Sequence, residues 1–141
     1  MKYITGIYAL NLNCALKTPG DWHQSALSWD NPRMRETEGS LFGEYGIEEN
    51  FTVPRREGVS CFAANHIRAL LDLIEEGDFS AAQGMRDNFI DNSCYDDEIF
   101  EKVYNMKTLP NWIEIKAFIG EEYMMKWVYF LRNKENQHDA I

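Results

Sequence analysis

Apolar positions along the chain follow two periods, and the change falls near residue 60. In residues 3–12, Ile4, Tyr8, Leu10 and Leu12 share one face at period two, while Ile7 and Ala9 lie on the other. β-Branched and aromatic residues with both faces partly apolar predict an interior strand. Thr18-Pro19-Gly20-Asp21 then offers a proline to preset φ and a glycine to accept positive φ, as a type II turn requires. Residues 22–29 are expected to pair back on the first strand and complete a hairpin. From Asp30 to Gly58 the chain is polar and punctuated by glycine, with apolar islands at Leu41–Ile47 and Phe51–Val53, the second ending at Pro54. Short strands and loops are expected in this stretch.

The helical period begins after Ser60. Its hydroxyl suits an N-cap, Ala63, Ile67, Leu70, Leu71 and Ile74 follow at helical spacing, and Gly77 is placed to end the helix in a left-handed turn. Asp78 or Ser80 can cap a second helix, with Phe79, Ala82, Met85 and Phe89 as its stripe. Tyr95-Asp96-Asp97-Glu98 opens a third, whose acids lie in the first turn, where the helix dipole favours them. Leu109-Pro110 breaks it, and Asn111 with Glu114 has the spacing of a capping box. Residues 112–119 fit a strand by the alternation of Ile113, Ile115, Ala117 and Ile119, and fit a helix by continuity with residues 121–132. The latter form a helix with Tyr123, Met124, Trp127, Val128 and Leu131 on a broad face, and 133–141 form a frayed polar tail. The expected fold class is α+β: a small antiparallel sheet from the N-terminal part packed against three or four C-terminal helices. It forms one domain over 1–141, strand-rich in 1–59 and helical in 60–132.

Composition supports a packed core. Of 141 residues, 45% are apolar and 13% aromatic, which excludes a disordered chain. No apolar run approaches the roughly 20 residues of a membrane-spanning helix, so no membrane association is expected. The opening Met1–Gly6 lacks the apolar block of a secretory signal, and a cytoplasmic location is expected. Cys14, Cys61 and Cys94 are odd in number and far apart, which fits reduced thiols and not a disulfide framework or a CxxC metal knuckle.

Charge changes the picture more. The formal net charge is −9, and residues 61–110, with four basic and ten acidic side chains, contribute −6 of it. Direct nucleic-acid binding is disfavoured, because cations must displace the counterions of phosphate. A basic protein partner is favoured. Asp87, Asp91, Asp96, Asp97, Glu98 and Glu101 are the candidate partner-binding residues, forming with Asp72, Glu75, Glu76 and Asp78 the densest acidic stretch. The leading function is therefore an acidic protein-binding module of the antitoxin, immunity or inhibitor type. A nucleic-acid mimic is an alternative.

Motifs for chemistry are sparse. Asp21-Trp22-His23 comes straight after the Pro-Gly turn, and in a strand its i and i+2 side chains share a face, so Asp21 and His23 are the candidate acid–base pair of an alternative, small-enzyme reading. His66 lies five residues after Cys61, about 140° away around a helix, so the two are poorly placed as a dyad. The sequence selects neither a Cys61–His23 nor a Cys14–His66 pair. Gly39, Gly43 and Gly46 match no phosphate-loop or dinucleotide fingerprint, and the acidic stretch lacks calcium-loop spacing. No cofactor and no metal are expected. Trp22, Trp29, Trp112 and Trp127 are expected as core and interface anchors.

Overall fold

The computed structural model of the protein describes residues 1–56 and 58–139. Glu57, within the 30–58 stretch, and the tail residues Ala140 and Ile141 lie outside the described residues. The chain is α+β. A four-stranded sheet has the order β2-β1-β4-β3, built from β1 (Lys2–Ile4), β2 (Met34–Glu36), β3 (Ile47–Thr52) and β4 (Ser60–Ala64). β1 pairs antiparallel with β2 and β3 antiparallel with β4, while β1 and β4 run parallel, with Tyr3 opposite Phe62. The sheet is therefore mixed and not wholly antiparallel.

The expected long strand over 3–12 stops after Ile4. Gly6 takes φ +63°, and Gly6–Leu10 coils into a short helix, α1, that turns Ala9 and Leu10 into the core. The hairpin is likewise replaced: residues 22–29 hold a 3-10 turn at Gln24–Ala26, and β1 pairs with β2 and β4 instead. Gly20 does take a positive φ of +66°. Yet its amide donates to Phe89 O and the Asp21 amide to Leu10 O, so the turn ties a loop down without returning a strand.

Ser60 opens β4 and caps no helix. The cap is Asn65, whose Oδ1 accepts from the Arg68 amide at 2.8 Å and starts α2 (His66–Glu75). Every residue from His66 to Ile74 is buried, so α2 is the central helix of the fold, in contact with α1 and β4. It ends as expected at Gly77, φ +81°, with Gly77 N donating to Ile74 O and Asp78 N to Leu73 O, the paired bonds of a Schellman motif. Asp78 caps α3 (Phe79–Ala82) through the Ala81 amide. The single helix expected over 79–89 is broken: Gly84 has φ +85°, and Met85–Ile90 continues as a π-helical turn.

After a 3-10 turn at Ser93–Tyr95 comes α4 (Asp96–Tyr104), with Asp96, Asp97 and Glu98 in its first turn. Asn111 forms no capping box, because its side chain donates to Glu75 O at 3.4 Å instead. Residues 112–119 resolve as helix within α5 (Trp112–Tyr123), burying Ile115, Phe118, Ile119 and Tyr123 at helical spacing and leaving Ile113 75% exposed. The single helix expected over 121–132 is broken at Met124, which takes φ +54° and points out of the expected apolar face at 64% exposure. Met124 bends the chain into α6 (Met125–Asp139), which continues through residues 133–139 of the expected tail. α4 and α6 meet through aromatic rings: Phe100 lies 5.4 Å from both Trp127 and Phe130, and 5.0 Å from Tyr123. Trp127 and Trp29 are core residues and Trp112 packs against Trp127, whereas Trp22 is 81% exposed.

Candidate acidic groove and buried polar network

Three adjoining concavities lie along the face made by the π-helical turn, α4 and α6. The first, about 440 Å³, is lined by Arg86, Asp87, Asp91, Asn92, Ser93, Asp96 and Lys126. The second, about 470 Å³, shares Ser93, Asp96 and Lys126 with the first and adds Asp97, Phe100, Tyr129, Phe130 and Asn133. The third, about 300 Å³, shares Asp97, Phe130 and Asn133 with the second and adds Glu101, Lys134 and Gln137. Shared lining residues set the three side by side along one face, together the acidic groove.

Five of the six sequence-predicted acids therefore converge. Asp96 is nearly buried and holds Lys126 at 2.9 Å, closing α6 onto the start of α4. Glu101 holds Lys134 at 2.8 Å, and Asp87 lies 3.8 Å from Arg86. Asp91 and Asp97 are exposed and carry no ion pair among the described residues. Glu98 lies apart: it accepts from the Tyr45 hydroxyl and lines none of these concavities. Five carboxylates face three cations, leaving the groove at −2. Tyr129, 57% exposed, gives the groove an apolar shoulder.

The Asp21–His23 pair forms, but on open surface. His23 Nδ1 is 2.6 Å from Asp21 Oδ1, and the His23 side chain is 73% exposed. Asn11 brackets the turn by donating to Asp21 Oδ2 and accepting from the His23 amide. Burial pushes the Asp21 carboxyl up, but hydrogen bonds from His23, Asn11 and the Trp22 amide outweigh it and hold it below the ordinary carboxylate range.

Sequence reasoning missed a buried network on α2. Arg68 is 0% exposed, and all five of its N–H groups are used: Nε on Asp72 Oδ1 at 3.0 Å, Nη1 on Gly43 O and Tyr45 O, Nη2 on Tyr3 Oη and Ser40 Oγ. Asp72 also accepts from Tyr3 Oη at 2.7 Å and Thr5 Oγ1 at 2.6 Å, and Arg35 Nη1 stands 3.2 Å away. Burial, followed by the Asp72 contact, pushes the Tyr3 phenol well up, so Tyr3 serves as a neutral donor. The available signal was an oppositely charged i, i+4 pair set inside a run of apolar residues. Its role is to tie β1, α2 and the 40–45 turn together.

Of the two cysteine–histidine pairings open in the sequence, the structure assembles Cys14 with His66 through Thr18. Cys61 instead faces Phe51 O, and burial pushes its thiol up. Among the described residues no group of three or more His, Cys, Asp or Glu side chains is placed to hold a metal ion. No helix among them is long and apolar enough to cross a membrane. Comparison with protein-family models, curated protein sequences and solved structures finds no match for this chain.

Proposed function

We propose that this protein is a non-enzymatic acidic module that binds a basic protein through the groove between the π-helical turn, α4 and α6. One observation carries the proposal: carboxylates scattered over residues 87–101 line adjoining concavities on one face beside exposed aromatic surface. Rim acids such as Asp91 and Asp97 would steer a cationic partner, aided by the net −9 of the chain. Tyr129 and Phe130 would anchor it, since aromatic residues carry a large share of interface energy. A basic toxin, nuclease or other nucleic-acid-binding effector is the natural partner class, met in the cytoplasm, where the three free thiols stay reduced.

An NMR titration of the ¹⁵N-labelled protein with a lysine- and arginine-rich amphipathic peptide tests the groove. Shifts concentrated in residues 86–101 and 125–137, shrinking as salt rises, support it. Shifts centred elsewhere, or none, contradict it. If the purified natural partner is displaced by duplex DNA, the acids act as a nucleic-acid mimic; if DNA does not compete, the contact is ordinary acidic recognition.

A further inference from the structure

The loop between α1 and β2 lays Cys14 against the N-terminus of α2. The half-buried Cys14 Sγ is 3.6 Å from Thr18 Oγ1, which is 2.5 Å from Nδ1 of the buried His66. On its other side, His66 Nε2 is 2.7 Å from Leu12 O. A carbonyl oxygen only accepts, so Nε2 carries the proton and Nδ1 of the neutral ring is left to accept from Thr18. The three groups thus form a relay with an oriented base at its end, the arrangement an activated nucleophile needs.

The surroundings favour the charge-separated state. His66 is the first residue of the ten-residue α2, so the sulfur sits at the positive end of a helix dipole. Glu48, reaching over from β3, accepts from the Ala15 amide with both oxygens at 3.1 Å, and its charge favours a protonated His66. Lys17 is exposed on the same loop. Gly20 closes over the ring so tightly that a Cβ there would stand 2.7 Å from His66 Cε1, which fixes the imidazole in place. Burial alone would raise the Cys14 thiol, yet His66 and Thr18 together hold it below the ordinary thiol range. Burial would likewise lower His66, and Cys14, Leu12 O and Glu48 raise it instead.

We infer that Cys14 is a nucleophilic thiol, activated through Thr18 by His66, and that its co-reactant is a small hydroperoxide. The thiol proton passes to the Thr18 oxygen as the Thr18 proton passes to Nδ1, giving a thiolate and an imidazolium. The sulfur then attacks one peroxide oxygen: an S–O bond forms, the O–O bond breaks, and the leaving alkoxide takes the proton from His66. Sulfur is oxidised by two electrons to the sulfenic acid, and the peroxide is reduced to an alcohol or, for hydrogen peroxide, to water. Thr18 and His66 are positioning residues in this scheme. It stands whether or not the acidic groove binds a basic partner.

Cys94, exposed and outside this relay, is the control within the same molecule. The test is alkylation of the full chain by iodoacetamide from pH 5.5 to 9.5, resolved by site with mass spectrometry, then trapping of sulfenic acid with dimedone after hydrogen peroxide. The rate profile of Cys14 is expected to have its midpoint below that of Cys94. At pH 7 the rate advantage should be smaller than the gain in thiolate, because lower thiol basicity offsets part of it. Thr18→Val should move the Cys14 midpoint up, Thr18→Ser should leave it in place, and peroxide should label Cys14 first. A Cys14 midpoint at or above that of Cys94 would overturn the inference, as would a folded Thr18→Val protein with an unmoved midpoint. Should Thr18→Val fail to fold, the comparison of Cys14 with Cys94 in the wild-type chain still decides.

Discussion

Replacing Arg68 with methionine tests what holds the two halves of the fold together. Methionine approximates the volume of the arginine stem, so the change removes charge and hydrogen bonds more than packing. Asp72, 1% exposed, would keep two hydroxyl donors and the Arg35 guanidinium at 3.2 Å but lose Arg68, the nearer of its two ion-pair partners. Removing one member of a buried pair costs about 3–5 kcal/mol, and the remaining donors set the loss toward the lower end. Gly43 O and Tyr45 O also lose a donor, and each adds about 1 kcal/mol where water reaches them poorly. The expected cost is thus about 4–5 kcal/mol, a large share of the roughly 5–15 kcal/mol of a typical domain. At about 2–4 °C per kcal/mol for a chain of this size, Tm should fall by about 10–20 °C. Urea and thermal unfolding followed by circular dichroism measure both quantities. Adding Asp72→Asn to Arg68→Met should return about 1 kcal/mol, since the buried carboxylate left with the Arg35 guanidinium as its one cation is gone. An Arg68→Met protein within about 1 kcal/mol of wild type, or a double variant whose losses simply add, would refute the network's role.

Other consequences are smaller and equally direct. Gly20→Ala should cost about 2–3 kcal/mol, because φ is +66° and a Cβ would stand 2.3 Å from Leu10 O; Gly39→Ala, at φ +76° with nothing within 4 Å, should cost only about 1 kcal/mol. Equal losses in urea unfolding would show that the close approach is unimportant. Tyr123→Phe should leave Tm unchanged or raise it, since the buried hydroxyl has no hydrogen-bond partner among the described residues and removing it gains up to about 1 kcal/mol. A clear fall in Tm would reveal a partner for that hydroxyl. Asp21 has a lowered folded-state pKa, so its contribution to stability is complete above the ordinary carboxylate range and is lost as pH falls through the lowered value. Asp21→Asn should therefore destabilise at neutral pH and converge with wild type as pH falls through the lowered value, and a gap that widens on acidification would contradict the sign.

What could be read in advance depended on whether one element carried the signal. α2 and its Schellman end were visible because Ile67, Leu70, Leu71, Ile74 and Gly77 suffice locally. Residues 3–12 misled because Ile4, Tyr8 and Leu10 suit either period, and only the left-handed Gly6 decides where the strand stops. Short strands were expected within 30–58 and β2 and β3 lie there, but their bounds were hidden for a different reason: both are edge strands, where charged residues such as Arg35, Glu36, Glu48 and Glu49 are tolerated because one side faces water. The acids of the groove were legible as a run, but the groove was not. It exists because Met124 turns α6 back so that Lys126, Phe130 and Asn133 face α4, a long-range event without a local pattern. For the same reason, Asp96 and Glu98 proved distinct from their neighbours, the first neutralised by Lys126 and the second facing Tyr45.

That distinction selects the variant for testing the central proposal. Charge reversal at Asp96 would break its ion pair with Lys126, confounding binding with stability, whereas Asp91 and Asp97 are exposed. With the partner purified from the source cell, stopped-flow association should be compared for wild type and Asp91→Lys/Asp97→Lys at low and high salt. A groove that steers a basic partner predicts association slowed about tenfold at low salt and a difference that shrinks at high salt, with Tm lowered only by the few degrees that a lysine in the first turn of α4 and at the left-handed Asp91 position costs. Equal association rates for the two proteins at low salt would contradict it.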